Sequence, residues 1–309
     1  MTNCLIAMDV GGTTIHAAVV RDNKIIERTI KTYDARANKN KDNIISNLMF
    51  IIKDQLFIVK KELKNEGCSN FTLSGVVMGF PGPFDYENGI SYIIKLNKFD
   101  AIYGVNIKEE LMKLIEYDSR VRNYFGETIC IAFGNDATLF AFGEGFFGQG
   151  KMYSRYMCLT LGTGCGSAFI NNGKQVRGEY GVPKTGEIFN EPFEYGIIDD
   201  YFSTRGLLNL ALGKKINVSN VHELAILAKS DIKSQAQEVF NLFGEKLGKI
   251  LSKYVHTFQP DVIIFGGGIS KSFELFRETL EKEIDPIKTP VKVSVRPLYS
   301  TFIGATQLL

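Results

Sequence analysis

Long apolar runs, an excess of one charge and paired cysteines are all missing from this chain. No apolar stretch approaches the ~20 residues that cross a bilayer, so no membrane span is expected. The 36 basic and 34 acidic residues are interspersed and leave a net charge of +2, which argues against a nucleic-acid or membrane-surface partner. The lysine-rich stretches at 39–41 and 60–64 alternate with other residues and read as solvated faces. The five cysteines are Cys4, Cys68, Cys130, Cys158 and Cys165, an odd set without CxxC spacing. Cys4, Cys130 and Cys158 fall in apolar strands, where a free cysteine behaves as a small hydrophobe. No leader is visible, since Met1-Thr-Asn3 runs straight into a strand, and the expected compartment is the cytoplasm. A length of 309 residues allows one large domain or two of average size.

What is present is a glycine-rich hairpin, and it occurs twice. Asp9-Val-Gly11-Gly12-Thr13-Thr14 sits between the apolar runs Cys4–Met8 and Ile15–Val20. Leu161-Gly162-Thr163-Gly164-Cys165-Gly166 sits between Tyr156–Thr160 and Ser167–Ile170. Both read as strand, tight turn, strand, with glycine expected for positive φ and for close backbone approach to a ligand. Successive N–H groups at such a turn form a nest suited to phosphate oxygens. Either hairpin alone reads equally as plain structure. Two at matching places suggest a duplicated fold that grips one polyphosphate from both sides.

The rest of the chain alternates strands with helices. Lys24–Thr32 reads as a strand, and Asp42 as the cap of a long helix through Val59 that Gly67 stops. Phe71–Met78 is a strand ended by Gly79-Phe-Pro-Gly-Pro83, and Ile107–Tyr117 is a short amphipathic helix. Ile129–Phe133 is a strand leading through Gly134-Asn135-Asp136 into a helix from Ala137. The polar, aromatic segment Gly178–Ser203 has no periodicity and is too long for a plain connector, so a functional loop is expected. A helix spans Lys233–Phe258, with Gly244 and Gly248 marking a close crossing. Val262–Phe265 is a strand entering Gly266-Gly267-Gly268, followed by a helix through Phe273–Ile284. This alternation implies an α/β fold with a mostly parallel sheet, whose ligands collect beyond the carboxyl ends of the strands.

Three motifs at those ends carry chemistry. Asp9, beside a polyphosphate, would be repelled unless a metal ion intervenes, so it reads as a Mg²⁺ contact through water, or else as an Asp bonding its own turn. Thr13 and Thr14 add hydroxyl donors. Asp136 is placed to accept the proton of an attacking hydroxyl while Asn135 orients the substrate, or else to cap the helix from Ala137. Gly266, Gly267 and Gly268 open a helix N-terminus that fits part of a nucleotide, or else make a structural turn.

Taken in order, Asp9–Thr13, Gly79–Gly82, Asn135-Asp136, Leu161–Gly164, Gly186-Glu187, Gly266–Gly268 and the final Gly304-Ala305 resemble the ROK family (repressors, open reading frames, kinases). The resemblance implies a two-domain actin-like ATPase (ribonuclease H-like) fold, with duplicated mixed sheets flanked by helices and a cleft between domains. The domains it implies are residues 1–130, with 297–309 packing back on them, and residues 131–296. It implies phosphorylation of a hexose or hexose derivative by Mg²⁺-ATP, most often at the 6-hydroxyl, in a homodimer. In residue terms, Asp136 matches the family's catalytic base. Asn97, Asn135, Glu187 and Asp199 match sugar-binding positions. Asp9, Gly11, Gly12, Thr13, Thr14, Gly162, Thr163, Gly164, Gly266, Gly267 and Gly268 match the nucleotide-binding turns. The family histidine three residues after Glu187 is Asn190 here, and Glu191–Tyr201 holds no Cys or His, so no zinc site is expected. Phe189, Phe193, Tyr195 and Tyr201 are then expected to hold that loop by packing. The family's helix-turn-helix is not expected, because the first strand begins by about residue 4. A non-catalytic, sugar-sensing member of the same fold is the alternative.

Overall fold

The computed structural model describes residues 2–68, 70–95, 97–231, 234–284 and 289–309, so Met1, Leu96 and Lys233 lie outside the described residues. The chain divides into two compact units, Met1–Gly143 with Leu298–Leu309, and Glu144–Pro297.

In the first unit the alternation of the strand Thr2–Val10 explains two cores. Cys4, Ile6, Met8 and Val10 face one, and Leu5 and Ala7 face the other. The strand Thr14–Arg21 returns antiparallel, from Val10 opposite Ile15 to Cys4 opposite Arg21. Phe71–Phe80 lies parallel on the other side of Thr2–Val10, and Ile131–Asn135 lies parallel beyond it. The short strands Lys24–Ile25 and Lys31–Asp34 pair along Thr14–Arg21 and complete a six-stranded sheet. The single strand expected over Lys24–Thr32 is therefore broken. The Thr29 hydroxyl accepts from the Val19 N–H at 2.8 Å and donates to the Ile26 carbonyl at 2.6 Å, closing a 3-10 turn over Glu27–Thr29.

The helix Lys41–Asn65 covers the first core with Ile44, Leu48, Ile52, Leu56, Val59 and Leu63. Its cap is Asn40, which accepts from the Asn43 N–H at 2.9 Å; the expected cap, Asp42, lies in the first turn, where its charge suits the helix dipole. Gly67, at φ +78°, ends the helix as expected. The second core is covered by the helices that begin at Asp136 and at Pro297, through Leu139, Phe302, Ile303 and Ala305. These helices touch at glycines. A Cβ on Gly143 would lie 1.7 Å from the Ser300 carbonyl oxygen, and one on Gly304 would lie 1.8 Å from that of Leu139.

The second unit repeats the strand order. Arg155–Leu161 and Cys165–Asn171 form the antiparallel hairpin, with Lys174–Gln175 outside it. Val262–Gly266 runs parallel to Arg155–Leu161, and Val291–Val293 runs parallel beyond. Both sheets are thus mixed, not mostly parallel, because a tight turn can only join antiparallel neighbours. The helix Gln235–Thr257 packs Val239, Phe240, Phe243, Leu247 and Leu251 with Met157, Leu159 and Leu161. Its crossing at Gly244 and Gly248 is as expected: a Cβ at either would meet the carbonyl oxygen of Phe276 at 2.3 Å or of Leu280 at 2.7 Å. The helix expected over Phe273–Ile284 is two pieces, a 3-10 segment Ile269–Leu275 and an α-helix Arg277–Glu283. Among the described residues no helix is long and apolar enough to cross a membrane.

Candidate functional site

Asp9 continues the Leu5, Ala7 face of its strand, the face on which Leu139 packs, and the helix carrying Leu139 starts at Asp136. Register brings the two carboxylates to one end of the sheet. Asp9 pairs with Gly79, and Gly79 pairs with Gly134, two residues before Asp136. A Cβ on Gly79 would press on the Leu139 Cδ1 at 3.2 Å and stand in ordinary contact with the Asp136 Cα at 3.6 Å, so the start of the helix lies directly against this strand end. Burial, then the charge of Asp136, pushes the Asp9 carboxyl up to about 7. Burial also raises Asp136, opposed by the Ala137 N–H, which donates to its Oδ1 at 2.9 Å, and by the charge of Lys98. Asn135 is buried; its Oδ1 accepts from the Thr138 N–H at 3.1 Å and its Nδ2 donates to the Tyr86 hydroxyl at 3.4 Å. Asn135 therefore caps the helix, which leaves the carboxylate of Asp136 for other work.

In the first hairpin, the Gly11 N–H donates to the Thr14 carbonyl at 2.9 Å and Thr13 is exposed at the tip. Neither hairpin holds its glycines at positive φ, contrary to expectation. Close approach bears on three of them instead: a Cβ on Gly11 would lie 3.0 Å from the Thr14 carbonyl oxygen, one on Gly12 2.6 Å from the Lys98 Cδ, and one on Gly164 2.9 Å from the Asp199 Oδ1. Asn97 and Lys98 sit on a loop where Lys95, Asn97 and Phe99 all have φ near +60°, at +59°, +56° and +61°. Such backbone persists only when its surroundings hold it. Here the Asn97 N–H donates to Asp100 at 3.1 Å, the Phe99 N–H donates to the Ala37 carbonyl at 2.7 Å, and the buried Phe99 ring packs 5.1 Å from Phe80. A cavity of about 360 Å³ opens beside Asn97, bounded by Asn38, Lys39, Lys98 and Asp100.

In the second unit, the second hairpin and the glycine triplet come together. Gly267, at φ +85°, lies against Leu161, whose carbonyl oxygen a Cβ would approach to 2.4 Å, and a Cβ on Gly162 would stand 4.0 Å from the Gly268 nitrogen. Thr163 is exposed at its tip, as Thr13 is in the first unit. The Gly162 carbonyl accepts from the Thr204 N–H at 2.7 Å and its hydroxyl at 2.9 Å. Asp199 accepts from the Cys165 N–H at 2.7 Å and pairs with Arg205 at 3.4 Å, so it braces this hairpin.

Glu187 follows Gly186, which has φ +80°, and the next residue is tied down by an N–H bond from Ile188 to the Ser167 hydroxyl at 2.9 Å. Beyond it, Phe193 packs edge-on to Tyr201 at 4.9 Å and near Phe202 at 5.4 Å, and Phe202 reaches Phe243 at 5.5 Å. Lys246 lies over Phe193 and Tyr201 and forms an ion pair with Glu194. Phe193 and Tyr201 thus hold the segment as expected, whereas the Tyr195 side chain is fully exposed and holds nothing. Among the described residues no group of three or more His, Cys, Asp or Glu is placed to bind a metal ion.

Lys98 escaped the sequence reading, although it follows Asn97 directly. A loop lysine has no periodicity or motif to mark it, and only the fold sets it over Gly12.

Two mixed sheets with one strand order define the duplicated α/β fold of the actin-like ATPases. The glucokinase of Streptomyces griseus, solved with glucose and AMPPNP, matches with a TM-score of 0.72 and 19% identity, over 99% of this chain and 98% of that one. The ROK family profile matches residues 5–292, and the chain belongs to the ROK family. It is 28% identical to a glucokinase of Thermotoga maritima over 312 residues, covering 92% of this chain and 88% of that protein. It is 27% identical to an N-acetyl-D-glucosamine kinase of Haemophilus influenzae, covering 90% and 88% respectively.

Proposed function

We propose that this chain is an ATP-dependent phosphotransferase with an alcohol acceptor, a sugar kinase that moves the γ-phosphate to a hydroxyl of a hexose or hexose derivative. Glucose or an N-acetylhexosamine is the acceptor, at the 6-hydroxyl. The observation that carries this reading is the Asp136 carboxyl, raised by burial, at the sheet end that also holds Asp9 and the first glycine turn. A base is effective when its pKa lies near the working pH, and a raised carboxylate moves in that direction.

In the mechanism, Asn97, Asn135 and Glu187 orient the sugar, and Asp199 acts through the hairpin it braces. Asp136 takes the proton of the attacking hydroxyl. The N–H groups and hydroxyls at the tips of the Gly11–Thr14 and Gly162–Gly164 turns hold phosphate oxygens, the Gly11 and Gly162 N–H groups being used to close those turns, and Gly266–Gly268 meet the nucleoside. Asp9, whose carboxyl is held up by burial and by the charge of Asp136, would hold the Mg²⁺ of the nucleotide through water, since a cation relieves that repulsion. That ion supplies charge neutralisation on the phosphates.

The test is ADP release from ATP with a panel of hexoses, aminohexoses and N-acyl hexoses, with polyphosphate as a second donor. Asp136→Asn should lower kcat by about 10²–10⁴-fold while sugar binding is retained. Near-normal turnover of that variant removes Asp136 as the base. Sugar binding without ADP release by the wild type would favour a sugar sensor.

A further inference from the structure

We infer that Lys98 is a catalytic residue of the same transfer, the cation that meets the migrating phosphoryl group. The inference rests on the kinase reading above and adds to it a residue that no motif marks.

Lys98 reaches from the Asn97 loop over the first glycine turn. Its Cδ occupies the space a side chain on Gly12 would need, 2.6 Å from that missing Cβ. Its charge is felt by Asp136. One ammonium therefore serves both the proposed phosphate turn and the proposed base. Lys98 forms no ion pair with a carboxylate among the described residues, so its charge is not already spent on a neighbour. It is half-buried, and its backbone is flanked by Asn97 and Phe99 in the left-handed region, with Phe99 fully buried below. A lysine held in this way loses little further freedom when an anion arrives, in contrast to one on a solvated helix face.

In the transfer, the acceptor oxygen forms a bond to the γ-phosphorus as the bond from that phosphorus to the β–γ bridging oxygen breaks. The hydroxyl proton passes to Asp136, and ADP leaves with the bond's electron pair. Negative charge is spread over the three equatorial oxygens during this exchange, and a fixed cation beside them lowers the barrier.

The experiment compares Lys98→Met, which keeps the stem over Gly12, with Lys98→Arg, which keeps the charge. For Lys98→Met, kcat should fall by about 10²–10³-fold, with the sugar KM within ~3-fold of wild type. Lys98→Arg should recover at least about tenfold of that loss. Calorimetric titration with ADP plus aluminium fluoride in the presence of sugar gives a readout besides turnover. Wild type should bind this phosphoryl mimic more tightly than ADP alone, and Lys98→Met should lose the gain. A kcat within ~3-fold of wild type, a loss confined to the sugar KM, or an arginine variant no better than methionine would each overturn the inference. Wild-type protein that turns over no sugar overturns the kinase reading instead, and the fluoride titration still reports on Lys98.

Discussion

Burial and the charge of Asp136, which shares its end of the sheet, make the Asp9 carboxyl hard to ionise. It is held near 7 against an ordinary value of 3.8. The native state keeps a proton there that the unfolded chain has released, so unfolding free energy falls as pH rises from about 4 to about 7. Above that window the full penalty remains in the ligand-free protein. Asp9→Asn removes it. The variant should match wild type near pH 4 and exceed it by about 1–2 kcal/mol at pH 8, a figure discounted because Asp9 is only half-buried. Urea unfolding of the ligand-free protein at both values reads this directly, and an equal difference at both would show that the carboxyl is not what titrates. The positions of Asp9 and Asp136 were legible in the sequence, because each closes an apolar strand whose alternation fixes where the carboxylate lands. Lys98 was not legible, because its place depends on a loop that Phe99 pins from below and on the bare backbone of Gly12 above.

At the scale of elements, the two glycine hairpins could be read from period-two runs on either side of a turn, and both appear within two residues of the expected bounds. The broken strand after Arg21 could not, since Thr29 has the same β propensity whether its hydroxyl points to solvent or caps a turn. The segment at 178–203 carried no period at all. Its order comes from Phe193, Tyr201 and Lys246, and Tyr195 next to them stays in solvent, a difference no local pattern encodes. The crossing of the helices that begin at Asp136 and Pro297 has an equally specific demand. A methyl group on Gly304 would enter the Leu139 carbonyl, so Gly304→Ala has to force the helices apart. It should cost about 2–3 kcal/mol. Gly213→Ala, on an exposed helix end with open space, should be neutral or slightly stabilising. Chemical denaturation of the pair checks both, and a Gly304→Ala variant as stable as Gly213→Ala would mean the crossing has room to yield. Because Asp136 heads the displaced helix, kcat should fall in Gly304→Ala as well.

For the whole molecule, each unit has its own buried core, around Ile6 and Leu48 in one and Leu159 and Leu247 in the other, and each presents one exposed threonine at the tip of its hairpin. Duplicated topology by itself says nothing about chemistry; the proposed division of labour does. Acceptor and donor are different molecules whose reacting atoms have to touch, so each bound ligand adds contacts for the other, and linkage makes that gain reciprocal. Sugar and AMPPNP together should therefore raise Tm by more than the sum of their separate shifts. A saturating ligand at about 100 times its Kd contributes about 2.7 kcal/mol, which is large enough to read as a shift of several degrees. Glucose and N-acetylglucosamine are the first sugars to compare, because the glucokinase and N-acetyl-D-glucosamine kinase relatives match this chain at 28% and 27% identity. The aromatic segment beyond Glu187, held by rings and Lys246, is where discrimination between them is expected, and Glu187→Ala should abolish the shift from sugar while leaving that from AMPPNP. Strictly additive shifts with every sugar tested would show no net coupling between the two ligands and would count against their meeting on this protein, which ADP release then decides.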